Sequence, residues 1–187
     1  MSSSLNEYTE IITVTGIWMF LSYLFMELGS HAKLSKQSSK EHQLWGQRIF
    51  LNMHEQSTLF LVSLWCHAVF SSKEDAATLG YMWLACRAIY PWIWMWNGKF
   101  KIPDQILSTM PQYSFVLYMM GSTVLQYKYN FDVKEKCGGL WMGVLAFCML
   151  FNLAFVFCGI FSKFIIEPNF FIEKPSASAT AAAVSKK

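Results

Sequence analysis

Long apolar runs alternate with short polar segments along this chain. Runs at residues 11–28, 48–70, 77–96, 105–127 and 139–162 are each close to the 20 or so helical residues that cross a bilayer. The pattern predicts an all-α integral membrane protein, with a membrane helical domain at residues 11–162 that crosses the bilayer with these five spans. A short N-terminal segment, residues 1–10, precedes this domain. A tail at residues 163–187 follows it, and its Ser, Ala and Lys content predicts disorder from about residue 174.

Composition supports the membrane class. Of the 187 residues, 54% are apolar and only 14% are charged, against about 25% charged residues in soluble domains. A soluble fold of this size would expose a large apolar surface and aggregate. The net charge of +3 is too small and too scattered for a nucleic-acid surface, so no nucleic-acid partner is expected. The five cysteines show no metal-ligand spacing, and no metal site is expected.

The distribution of lysines predicts the orientation. Lys33, Lys36 and Lys40 follow the first span, and the cytoplasmic side of a membrane protein collects such residues. We therefore expect an outside N-terminus and, after five spans, a cytoplasmic C-terminus.

The second span begins with ionisable and polar side chains, which are functional candidates by default within a membrane. Arg48, Asn52 and Glu55 have offsets of 0, 4 and 7, so they share one helical face. Such a row can clamp a zwitterionic peptide-like ligand, because arginine binds a carboxylate and glutamate binds an amine. The alternative is an interhelical polar lock, in which Glu55 neutralises an arginine of a neighbouring helix.

The third span carries a second candidate row. Arg87, Tyr90 and Trp94 have offsets of 0, 3 and 7, and Lys101 follows at offset 14. Pro91 removes one backbone hydrogen bond and predicts a kink. The tryptophans near this end also fit an interfacial aromatic belt, whereas Arg87 lies too deep in the span for that role.

Arg48-x3-Asn52-x2-Glu55 at the head of one span, with Arg87-x2-Tyr90 on the next, resembles the membrane-associated proteins in eicosanoid and glutathione metabolism, the MAPEG family. The similarity covers about residues 11–127. It implies a four-helix transmembrane bundle, here with an extra fifth C-terminal span, that assembles as a homotrimer. In the family, the residues matching Arg48, Asn52, Glu55, Arg87 and Tyr90 bind glutathione as co-substrate.

The resemblance also implies a catalytic cation beside the glutathione thiol. In leukotriene-type members this is an arginine, and the matching position holds Lys101. Trp94 stands where many members have tyrosine, and Gln56 stands where the leukotriene-type members have tyrosine. A fixed cation favours the thiolate, which is the nucleophile, and lysine supplies the charge without the planar geometry of arginine.

Two functions from different classes follow. The first is a membrane-bound glutathione transferase or peroxidase that acts on hydrophobic electrophiles or lipid hydroperoxides from the bilayer. The alternative is a catalytically silent MAPEG-like subunit with a structural or accessory role in a larger membrane complex. The expected location is the endoplasmic reticulum membrane, with mitochondrial or other organelle membranes as alternatives.

Overall fold

The computed structural model describes residues 6–97 and 108–166, and for residues 94–97 it describes the backbone alone. This part of the chain is helical and contains no strand. Residues 1–5, Lys101 and the predicted disordered tail lie outside it. Its helices are α1 (Thr9–Leu34), α2 (Lys40–Phe70), α3 (Lys73–Asn97), α4 (Thr109–Tyr129), α5 (Val133–Cys137) and α6 (Leu140–Phe161), followed by a π-helical turn, Ser162–Ile166.

Helices α2 and α3 form the centre of the bundle. Helix α2 contacts α1, α3 and α4, and α3 also contacts both α1 and α4. In the core, the rings of Phe60 on α2 and Trp83 on α3 stack with centroids 3.9 Å apart. This packing places the polar rows of α2 and α3 on neighbouring helices.

The polar stretch between the first two predicted spans is mostly helical. Helix α1 continues to Leu34 and α2 begins at Lys40, so the connection is only residues 35–39. A polar segment can leave the bilayer and still be helical. A helix ends only where a residue breaks it or a side chain caps its backbone groups. Ser39 supplies that cap at the start of α2, where its side chain accepts a hydrogen bond from the His42 amide at 3.2 Å.

Two glycines allow α1 and α2 to approach closely in this region. A Cβ atom on Gly46 would lie 2.6 Å from the Ala32 Cβ, and one on Gly29 would lie 2.9 Å from the Gly46 carbonyl oxygen. A Cβ atom essentially never lies so close to a non-bonded atom. The close contact of α1 with α2 therefore depends on glycine at both positions.

The remaining helices follow the predicted spans with shifted ends. Helix α3 continues through Pro91 to Asn97, and Ser71 and Ser72 alone separate it from α2. By length and apolar composition, two helical segments of the described chain are able to cross a membrane, Thr9–Leu34 and Leu140–Ile166. Helices α2 and α3 carry more polar residues. That all five segments cross the bilayer stays a prediction.

The chain divides into two compact units, Met1–Cys148 and Met149–Lys187. The first contains α1 to α5 and the beginning of α6, whose Gly143 and Val144 are buried. The described part of the second consists of the rest of α6 and the π-helical turn. Its large apolar side chains are exposed, among them Leu153, Phe157 and Phe164. A bilayer would cover such a surface, whereas in water it would promote aggregation.

Candidate functional site

Arg87 forms the centre of the candidate site. Its side chain lies in the bundle core with only 1% of its surface exposed. The Arg87 Nη1 atom donates to the Asn52 side-chain oxygen, and Nη2 donates to the Asn52 backbone oxygen at 3.0 Å. One residue of α2 thus holds both terminal nitrogens of the guanidinium.

Tyr90 completes this network. The Asn52 Nδ2 atom donates to the Tyr90 hydroxyl at 3.1 Å. The Arg87 guanidinium lies over the rings of Trp83 and Tyr90, at 5.2 Å and 5.5 Å from their centroids. Negative ring faces stabilise a cation in this position. The structure therefore brings together Asn52, Arg87 and Tyr90 from the predicted set.

Arg48 and Glu55 flank this network on the surface of α2. Both side chains are exposed, and neither has a hydrogen bond or ion pair to another described residue. They remain close enough to interact electrostatically with Tyr90, and Glu55 also with Arg87. Two opposite charges without an ion pair to any described residue therefore lie beside a buried arginine, open to a ligand or a neighbouring subunit.

The structure excludes the simplest form of the polar lock within the described chain. The partner of Arg87 is the neutral Asn52, and Glu55 does not contact it. The shared helical face of Arg48, Asn52 and Glu55 is confirmed by their place on α2, but Asn52 alone turns toward the core. The spacing places the three residues on one face of α2, and the packing of α3 against α2 determines which of them is buried.

Two further predicted positions cannot be placed. Lys101 lies outside the described residues, and so does the Trp94 side chain. Gln56, the third departure from the family pattern, is buried with 6% exposure. The site as described consists of the binding residues, and the catalytic role of Lys101 stays a prediction.

The structure also shows polar groups of the bundle that sequence reasoning did not select. Trp45 Nε1 donates to the Pro91 carbonyl oxygen at 3.1 Å and joins the first turns of α2 to the end of α3. Gln112 of α4 has no exposed surface, and both of its amide atoms lack a hydrogen-bond partner among the described residues, as do Arg87 Nε and Trp83 Nε1. The available signal was the spacing of Gln112, Phe115 and Met119, which predicts one inward face of α4.

No group of three or more His, Cys, Asp or Glu side chains suited to a metal ion occurs within residues 6–97 and 108–166. The site chemistry of the described part is therefore that of a guanidinium, an amide, a phenol and two exposed charges. Such groups bind carboxylates and amines through charge-assisted hydrogen bonds.

Comparison with known proteins identifies one family. The model of the MAPEG family matches residues 11–127. No curated protein and no solved structure matches the chain. The matched range contains nearly all of α1 to α4 and every candidate site residue from Arg48 to Lys101, and it ends before α5 and α6.

Proposed function

The chain belongs to the MAPEG family, and from that premise we propose that it is a membrane-bound glutathione transferase or peroxidase. Glutathione is the co-substrate, and the second substrate is a hydrophobic electrophile or a lipid hydroperoxide that enters from the bilayer. The endoplasmic reticulum membrane is the proposed location.

The observation that carries this proposal is the buried arginine with its exposed charged neighbours. Glutathione has two carboxylates, one amine and one thiol. Arg87, fixed by Asn52 beside Tyr90, contributes a buried positive charge that no described carboxylate neutralises. Arg48 suits a carboxylate and Glu55 suits the amine. These charge types match those of the ligand.

The exposure of Arg48 and Glu55 also fits a site between subunits. In a bilayer, exposed charges on the side of a bundle are costly unless a partner or water covers them. A homotrimer that places a neighbouring subunit and glutathione against this face would satisfy them. We therefore include the homotrimer in the proposal.

The proposed chemistry begins with the glutathione thiol. Lys101 would stabilise the thiolate, since a nearby ammonium favours the charged form. In conjugation, the thiolate sulfur attacks the electrophilic carbon, forms a carbon–sulfur bond and displaces the leaving group. In peroxide reduction, the sulfur attacks one peroxide oxygen and the O–O bond breaks. The alkoxide then takes a proton, and a second glutathione converts the oxidised sulfur to a disulfide with release of water.

A second candidate function is a catalytically silent accessory subunit. The observation in its favour is that α5 and α6 follow the end of the family match, with α6 exposing large apolar side chains. Lys101, Trp94 and Gln56 also replace family residues near the thiol. An accessory subunit would keep the bundle and need not form a thiolate.

Purified protein in detergent separates the two functions. We expect turnover with a generic electrophile or a lipid hydroperoxide that depends on glutathione. The variant Glu55→Gln should weaken glutathione binding by about tenfold, the loss of one charge-assisted hydrogen bond. Glu41→Gln is the matched control, because Glu41 is an exposed carboxylate on the first turn of the same helix. Glutathione binding without turnover of either substrate would favour the accessory subunit.

A further inference from the structure

A polar pocket of about 160 Å³ lies at the other end of the bundle from Arg87 and Asn52. Its walls include Ser71, Asp75, Tyr118, Gln126, Asp132 and Lys134. We call it the Asp75 pocket. Ser71 follows Asn52 by 19 residues, which places the two sites about 28 Å apart along the axis of α2. The Asp75 pocket is therefore separate from the proposed glutathione site.

Asp75 is the buried charge of this pocket. Its residue is 8% exposed, and both carboxylate oxygens accept hydrogen bonds from Lys134 Nζ, at 2.9 Å and 2.8 Å. The Lys134 side chain is 49% exposed. It comes from α5, beyond the range of the family match. The Lys134 ammonium, half exposed to solvent, thus binds the buried Asp75 carboxylate from the solvent side of the pocket.

Tyr118 provides a second polar group in the pocket wall. It is 1% exposed, and its hydroxyl has no hydrogen bond to any described residue. Its ring is fixed by Phe147 and His67, each with its centroid 5.8 Å away. Its hydroxyl is close enough to interact electrostatically with both Asp75 and Asp132. Tyr118 lines the pocket, so a hydroxyl without a described partner is available there to water or a ligand.

The charge of the pocket decides which ligand class fits. Asp75 and Asp132 contribute two carboxylates, and Lys134 is the cation of the lining. Carboxylate and phenol oxygens accept hydrogen bonds, so the pocket favours a positively charged donor and disfavours phosphate or carboxylate ligands. Its volume has room for several water molecules. A group the size of ethanolamine matches both requirements.

We propose that the Asp75 pocket binds a primary ammonium group, which replaces Lys134 on the Asp75 carboxylate. This ammonium comes either from the headgroup of an ethanolamine lipid or from a small soluble amine. The proposal is independent of glutathione, because none of the pocket residues belongs to the proposed glutathione site.

The test uses the full chain in detergent, with ethanolamine as the soluble probe and phosphatidylethanolamine as the lipid probe. Choline and phosphatidylcholine are the matched controls, because their quaternary ammonium has no N–H donor. We expect both the wild type and Lys134→Ala to gain thermal stability with a primary ammonium and not with the controls. The affinity of Lys134→Ala should be about tenfold higher, because the competing ammonium is gone. Asp75→Asn should abolish the effect.

The variants distinguish a ligand site from a purely structural ion pair. Lys136→Ala is the control substitution, since Lys136 is exposed on the same short helix and, within the described part of the chain, pairs only with Glu135, at 4.0 Å. If Lys134→Ala does not fold, Lys134→Gln removes the same charge with a smaller change in volume. Stabilisation by the lipid alone identifies a headgroup site, and equal stabilisation by free ethanolamine identifies a soluble amine. No response of the wild type to either probe would overturn the proposal, even if Lys134→Ala responds.

Discussion

Arg87 illustrates how this bundle holds a charge without an opposite charge. Its described partners are the two oxygens of Asn52 and the faces of two aromatic rings. A buried arginine without such contacts would destabilise the fold by several kcal/mol. Because these partners are neutral, no described carboxylate cancels the positive charge of Arg87.

Replacing Asn52 should therefore destabilise the protein even without glutathione. We expect Asn52→Leu to lower the free energy of unfolding by about 3 kcal/mol, because it removes a hydrogen-bond acceptor from a buried cation. Asn52→Asp keeps an acceptor and should stay close to the wild type. Thermal unfolding in detergent measures both variants. If Asn52→Leu is as stable as the wild type, the network is not what holds Arg87.

Glu55 provides the contrasting prediction. Its carboxylate is exposed and has no described ion pair, so Glu55→Gln should change the ligand-free stability by less than about 0.5 kcal/mol. The loss should appear only in glutathione affinity. A large loss of ligand-free stability would indicate that Glu55 pairs with a cation of another subunit.

At the scale of single residues, the sequence predicted which side chains to examine but not their partners. The spacing of Arg48, Asn52 and Glu55 and the family resemblance identified the set. Burial depends on how α3 lies against α2, and no local pattern encodes that. The same limit applies to Gln112, whose inward position requires the bundle to be assembled.

Among the helices, α1 and α2 show where the hydrophobic pattern misleads. The apolar run ends at residue 28, yet α1 extends to Leu34 because nothing in the following residues stops a helix. The presence of the long helices could be predicted, because long apolar runs indicate them. Helix ends could not, because they follow from capping side chains such as Ser39.

The close approach of α1 and α2 yields a test with an internal control. Gly46→Ala would place a methyl group 2.6 Å from the Ala32 Cβ, so we expect a loss of about 1–3 kcal/mol of stability. Gly16 is also in α1 but has nothing within 4 Å of its added Cβ. Gly16→Ala should be neutral or stabilising, since alanine favours helices over glycine. Equal behaviour of the two variants in thermal unfolding would contradict the described packing.

The whole molecule combines the bundle of α1 to α4, nearly all of which the MAPEG family match covers, with the C-terminal helices α5 and α6. The family match at residues 11–127 confirms the predicted family and the all-α membrane class. Helices α5 and α6 lie beyond the match, and the predicted fifth span coincides closely with α6, Leu140–Phe161. Composition and resemblance were sufficient for the class, because apolar content and a paired motif are both visible in one sequence. The number of crossings depends on how polar helices such as α2 insert.

The topology prediction is that the termini lie on opposite sides of the membrane. A charge-free run at residues 139–162 is long enough to cross even when tilted, and it lacks a polar face for the interface. Tags at each end, probed with a protease in sealed vesicles, should give opposite accessibility. Accessibility of both tags from the same side would contradict five crossings.

The ultraviolet difference spectrum of bound glutathione tests the proposed function most directly, because it reports the thiolate itself. Stabilising the thiolate by one pKa unit requires about 1.4 kcal/mol, which one partly desolvated ammonium can supply. We predict a thiolate band in the wild type, its loss in Lys101→Gln and its retention in Lys101→Arg, with glutathione still bound in all three. Binding of glutathione by the wild type without a thiolate band, or no binding at all, would contradict the account.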